Sequence, residues 1–235
     1  MKIWFNNYDK PGPGIERNPV VRKGAGGFWD IFKREWWQLV KLNWVFLLGC
    51  VPLVTIPASI TAMCWVLTTM ADDRPRFLWH DFWRVFRRDF RRSLLLGWLW
   101  LLGCAVAGIA VWFYASMARS RPLLWAPAAA MLALFAELLV MSFDLFPMLA
   151  NISLGIRRYI QNAFCLSFIH AKTNLILLLI LIPLFTVLLL TFPYSALFLF
   201  AIGFSLCGLA IVYGVHAPIR KYVFETQEKH PDRSD

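Results

Sequence analysis

Charged residues withdraw from four long stretches of this chain: Leu42–Ala71, Ser93–Ala118, Pro122–Ile156 and Thr173–Ile219. Only Glu137 and Asp144 interrupt the third. A helix of about 20 apolar residues crosses a bilayer, so the pattern predicts a multipass membrane protein. The last stretch holds 47 residues without a single Asp, Glu, Lys or Arg. As a helix that is roughly 70 Å, enough for two crossings of a ~30 Å hydrocarbon core.

Pro52 and Pro57 divide the first stretch. Each proline removes a helix donor and crowds the preceding turn, so a straight helix through both is excluded, leaving one kinked crossing or two short helices folded back as a hairpin. The basic residues decide between them. Residues 1–41, 72–92, 119–121, 157–172, 192–195 and 220–233 carry 8, 7, 2, 3, 0 and 4 Lys and Arg. A single kinked crossing would distribute them 10 against 14, contrary to the bias of basic loops toward the cytoplasm. A hairpin places 22 on one side and 2 on the other. The expected fold is therefore all-α: a polytopic membrane helical bundle of six segments with both termini cytoplasmic. The segments fall at about 36–51, 56–71, 94–117, 123–149, 174–191 and 194–216, within one membrane domain of residues 28–219. The second is only about 15 residues long and spans incompletely or tilts.

Amphipathic patterns flank these segments. Residues 28–41 place Phe28, Ile31, Phe32, Leu39 and Val40 opposite Asp30, Lys33, Arg34 and Lys41, with Trp29, Trp36, Trp37 and Trp44 suited to the headgroup region. Residues 77–92 repeat Leu78, Phe82, Phe86 and Phe90 at every fourth position, beside Trp79, Trp83 and Val85. Arg84, Arg87, Arg88, Arg91 and Arg92 cover the other face, with Asp81 and Asp89 spaced for pairs to Arg84 and Arg92. Such a helix rests on anionic lipid or docks on a partner, and Trp79, Phe82, Trp83, Phe86, Arg84, Arg87, Arg88 and Arg91 are its candidate contacts. Residues 155–171 form a third interfacial pattern, with Arg157, Arg158, Gln161 and Asn162 on one side. Residues 1–27 are Pro- and Gly-punctuated and read as an extended arm; residues 220–235 read as a polar, disordered cytoplasmic tail. No apolar core of a cleavable signal precedes the first segment.

Composition agrees. Hydrophobic residues make up 59% of the chain, and the mean hydropathy is +0.57. The net charge of +10 sits at the ends of apolar segments, which points to cytoplasmic lipid rather than nucleic acid. Five scattered cysteines show neither a CxxC pair nor metal spacing.

Chemistry is sparse. Glu137 and Asp144 stand seven residues apart, on one face of one helix. A carboxyl at membrane depth is costly unless paired, protonated or wetted. Structural hydrogen bonding, partner contact and ion transport all remain open for them. Asp144 has Arg157, Arg158 or cytoplasmic water as prospective partners, and Glu137 is the deeper of the two. Asn43 and Asn151 read as structural amides or caps. Gly103, Ala107, Gly108 and Ala110 form a small-residue row suited to a helix contact. The four histidines lie in different segments, no catalytic or nucleotide-binding motif appears, and no cofactor or metal is expected.

Several stretches together resemble the YesL-like family of bacterial membrane proteins of unknown function. They are Tyr8–Gly14 (YDKPGPG), Leu42–Pro52 (LNWVFLLGCVP), Thr55–Ala58 (TIPA), Asp81–Ser93 (DFWRVFRRDFRRS) and Asn162–Phe168 (NAFCLSF). Ile56 stands where the family pattern has Gly before the proline. The resemblance implies a bacterial plasma-membrane protein encoded beside permeases and binding proteins of carbohydrate ABC importers. It implies an accessory subunit in oligosaccharide uptake, with importer permeases as partners and no catalytic motif. Two other readings compete with it: a small independent transporter or channel using Glu137 and Asp144, and a membrane-remodelling scaffold built on the interfacial helices.

Overall fold

The computed structural model describes residues 25–118, 121–152, 155–169 and 171–219. These residues are almost entirely helical and contain no strand. The arm expected at 1–27 lies outside them up to residue 24, as does the tail at 220–235. Residues 25–27 already belong to the first helix.

Helix α1 (Ala25–Gly49) is continuous, merging the expected interfacial helix and first segment. A 3-10 turn (Leu53–Thr55) leads into α2 (Ile56–Ala71), with Pro57 in its first turn, where the missing N–H costs nothing. The Pro52–Pro57 break is thus a hairpin. Next come α3 (Leu78–Arg88), α4 (Phe90–Ala118), α5 (Trp125–Asn151), α6 (Ile156–Ile169) and α7 (Ala171–Leu190). The described residues end in α8 (Tyr194–Phe198), a π-helical stretch (Leu199–Gly203) and α9 (Phe204–Ile219).

Among the described residues, five helical runs are long and apolar enough to cross a membrane: Leu53–Ala71, Phe90–Ala118, Trp125–Asn151, Ala171–Leu190 and Tyr194–Val215. The sixth expected segment, 36–51, is not among them. It is the end of α1, where charge persists to Lys41.

The core sits where α2 passes between α1, α4, α5 and α9. Leu39, Leu42, Leu67, Met70, Leu145, Met148, Leu149 and Leu209 are almost completely enclosed there. Close approach is built in at Gly97 of α4, where an added Cβ would lie 2.3 Å from the Pro57 side chain. The hairpin turn therefore presses on α4. Trp98 extends this contact by donating from Nε1 to the Val54 carbonyl at 3.0 Å.

Two predicted features are corrected. Residues 77–92 form two helices broken at Asp89, and Asp89 pairs with neighbouring Arg88 (2.6 Å) rather than with Arg92. Helix α6, expected as a cytoplasmic interfacial helix, packs along α5. The hydroxyl of Ser167 donates to Glu137, which stands fourteen residues before the end of α5, so α6 folds back alongside α5. Its buried face of Tyr159, Ala163, Leu166 and Ser167 explains this. The residues repeat at helical spacing, and protein rather than lipid covers them.

Candidate functional site

Two regions gather chemistry-bearing side chains: the foot of the hairpin with α3, and the acids of α5.

At the foot, Arg76 Nη2 meets Glu35 Oε2 at 2.6 Å, and both side chains are less than one-tenth exposed. Arg34 bridges Glu35 Oε1 (3.2 Å) and Asp73 Oδ1 (3.1 Å). Asp73 adopts a left-handed φ of 54°, which turns the chain out of α2. These pairs hold residues 34 and 35 of α1 level with residues 73–76. The arms from there to the turn, Glu35 to Gly49 and Ala71 to Ile56, each run about 21–23 Å at about 1.5 Å per residue.

The basic helix sits differently from the sequence expectation. Phe82 is completely buried and Trp83 and Phe86 half-buried, all packed against the protein's own core. Phe82 is therefore withdrawn from lipid or partner and Trp83 and Phe86 only in part, while Trp79 is exposed. Arg84 pairs with Asp81 at 3.0 Å and lies over the Trp65 ring, and Asp81 Oδ2 accepts the Phe77 N–H at the start of α3. Arg88 donates to the Ala150 carbonyl at the end of α5 (3.0 Å). Arg87 and Arg91 are exposed. A cleft of about 350 Å³ opens between Arg88, Asp89, Arg92, Asn151 and Ile152.

A second exposed surface runs along α1. Trp29, Trp36, Trp37 and Trp44 are each more than half exposed and share one helical stripe with Lys33 and Lys41. Lys41 lies 5.7 Å from the centre of the Trp37 ring.

The acids of α5 are connected through two other helices. The Ser167 hydroxyl donates to Glu137. Asn174 Nδ2 donates to Asp144 Oδ2 at 3.2 Å and approaches the Ser167 carbonyl at 3.4 Å. Asp144 is completely buried within the protein and Glu137 only partly. Asn174, rather than Arg157 or Arg158, is the side chain bonded to Asp144. No group of three His, Cys, Asp or Glu among the described residues could hold a metal ion.

Two amides act as expected. Asn43 Nδ2 donates to the Leu199 and Phe200 carbonyls (3.0 and 2.7 Å), and its Oδ1 accepts the Ser205 N–H (3.1 Å). Asn151 ties α5 to Thr68 of α2 at 3.1 Å. The small-residue row is already used inside the molecule. Leu138 and Phe135 of α5 pack against Gly103 and Gly108, and Ala107 is buried.

Residues 39–111 match the model of a family described as "Protein of unknown function, DUF624". The match runs from late α1 through the hairpin and α3 into α4. It therefore contains both Asn43 and the basic helix, but not the acids of α5. No curated protein matches the chain, and no solved structure matches it.

Proposed function

We propose that this chain is a non-catalytic integral membrane subunit that docks on the permease subunits of a larger importer. The resemblance to YesL-like proteins points to a bacterial carbohydrate ABC importer. The observation that carries the docking reading is the Trp and Lys stripe of α1. From Trp29 to Trp44 it covers about 22 Å at the helical rise. Two lysines make it unsuited to hydrocarbon, and four exposed indoles make it unsuited to water. Trp is also the side chain most enriched among energetically dominant interface residues.

The expected result is that permease subunits co-purify with the full chain in mild detergent. Trp36→Ala together with Trp37→Ala should weaken that association about thirtyfold, on the scale of a 2 kcal/mol hot spot. Helicity and monodispersity should stay unchanged. Recovery of the wild-type chain alone, with permeases present in the membrane, would sink the proposal.

The accompanying topology places residues 25–35, the α2–α3 connection and α3 on the cytoplasmic side, with both termini there. Supporting this are the sequence count, which gathers 22 of 24 basic residues on one side when the first stretch folds back, and the position of the hairpin turn. The turn meets α4 at Gly97 and Trp98, about 9 Å along the helix from Arg92 and about 30 Å short of Ala118. In this topology the hairpin enters the inner leaflet without emerging outside. Its backbone is adapted to that place. Thr55 Oγ1 lies 2.6 Å from both the Gly49 and Pro52 carbonyls, and Trp98 covers Val54. A Val51→Cys variant, with the native cysteines replaced, should resist an impermeant thiol reagent added from outside. Rapid external labelling would overturn this topology.

A further inference from the structure

The pair between α5 and α7 is incompletely bonded, and the gap has a defined chemistry. Asp144 and Asn174 are 0% and 1% exposed. The Asn174 amide spends its hydrogens on Asp144 Oδ2 and toward the Ser167 carbonyl. Asp144 Oδ1 and Asn174 Oδ1 remain, both buried and both without a hydrogen-bond partner. Each is an acceptor, so the element lacking is one donor between them. The surrounding helices bring no cation to the pair. Helices α2 and α9 contain neither Lys nor Arg, α6 holds Arg157 and Arg158 in its first turn, and Lys172 at the start of α7 is exposed. The other titratable groups on these elements are Glu137 on α5, Cys64 on α2, Tyr159 and Cys165 on α6, and Cys207, Tyr213 and His216 on α9; α4, which also packs against α5, carries Arg91 and Arg92 in its first turn, Cys104 and Tyr114. An ionised carboxylate enclosed at this depth with no counter-charge costs several kcal/mol.

We propose that Asp144 and Asn174 form a binding site for a proton. The proton resides on Asp144 Oδ1 and is donated to Asn174 Oδ1, while Asn174 Nδ2 donates to Asp144 Oδ2. Two antiparallel hydrogen bonds then close an acid–amide ring. One proton removes the buried charge and satisfies both orphaned oxygens at once. Ser167 lies against this ring through its carbonyl and reaches Glu137 through its hydroxyl, so the site lies in a continuous polar line between the two acids of α5. The site stands independently of any docking partner.

Infrared spectroscopy of the full chain in lipid nanodiscs, with isotope label on aspartate only, reads the proton directly. At neutral pH a labelled carboxylic-acid carbonyl band is expected in the wild type. It should vanish in Asp144→Asn and move to the frequency of a more weakly bonded acid in Asn174→Ala. Asp81, the other buried aspartate among the described residues, pairs with Arg84, and the Asp144→Asn spectrum separates its bands from those of Asp144. Asp144→Asn substitutes one ring-forming amide for the acid, so a folded variant is expected. If it fails to fold, the wild-type and Asn174→Ala spectra still decide. Carboxylate bands alone at neutral pH, with no labelled acid carbonyl, would overturn the proposal and assign the gap to water beside an ionised Asp144.

Discussion

Asn43→Ala is expected to destabilise the protein by about 2–4 kcal/mol, the loss of three interhelical hydrogen bonds at roughly 1 kcal/mol each in a membrane interior. The reason is the π-helical stretch Leu199–Gly203. Widening the helix there interrupts its regular pattern of backbone hydrogen bonds. Asn43 is completely buried, donates to two carbonyls and accepts one N–H across the contact between α1 and the last crossing. Alanine leaves all three backbone groups without a partner in surroundings that hold no water to replace it. Asn43→Asp retains the acceptor for Ser205 and loses both donors, so it is expected to be destabilised as well. Denaturation of the purified chain in mixed micelles, followed by helical circular dichroism, measures both. An alanine variant as stable as the wild type would show that the π stretch needs no such cap.

Much of this architecture is legible from charge and proline alone. Pro52 and Pro57 forbid a straight first segment, the basic residues select the hairpin, and α4 ends with its charge-free stretch at Ala118. What stays hidden is what covers each apolar face. Periodicity shows that Phe82, Trp83 and Phe86 share a stripe, but lipid and a neighbouring helix impose the same stripe. Phe82 proves to be wholly inside the protein. The small-residue row was legible as a contact face, but its partner, α5, was not. Asn174 and Ser167 gave no signal. An amide 30 positions from Asp144 becomes its partner only once α6 folds back along α5. The π stretch was silent for a related reason: a local change from 3.6 residues per turn leaves no mark in a uniformly apolar run. The exposed indoles of α1 were identifiable as interfacial. Their extent along one continuous helix was not, because two elements were expected there.

The second large effect is expected at the foot of the hairpin, where Glu35→Ala should cost about 3–5 kcal/mol. Glu35 is the acidic partner of an Arg76 guanidinium whose side chain is only 7% exposed and whose Nε has no other partner. Removing the carboxylate strands that charge and also releases Arg34 from one of its two acids. The sign of the double variant tests the cause. Glu35→Leu with Arg76→Met replaces both charges by apolar groups of similar length, and such a swap of a buried pair is often neutral or stabilising. It should therefore regain most of the loss in Glu35→Ala, though neither residue of the pair is restored. Thermal unfolding of the three proteins in the same detergent measures the contrast. If water reaches the foot freely, the pair behaves as a surface ion pair. Glu35→Ala then costs under about 1 kcal/mol, and the double variant recovers nothing. That outcome would remove the clamp that holds α1 level with the end of α2. The hairpin would then depend on its turn, where Gly97 and Trp98 grip Pro57 and Val54.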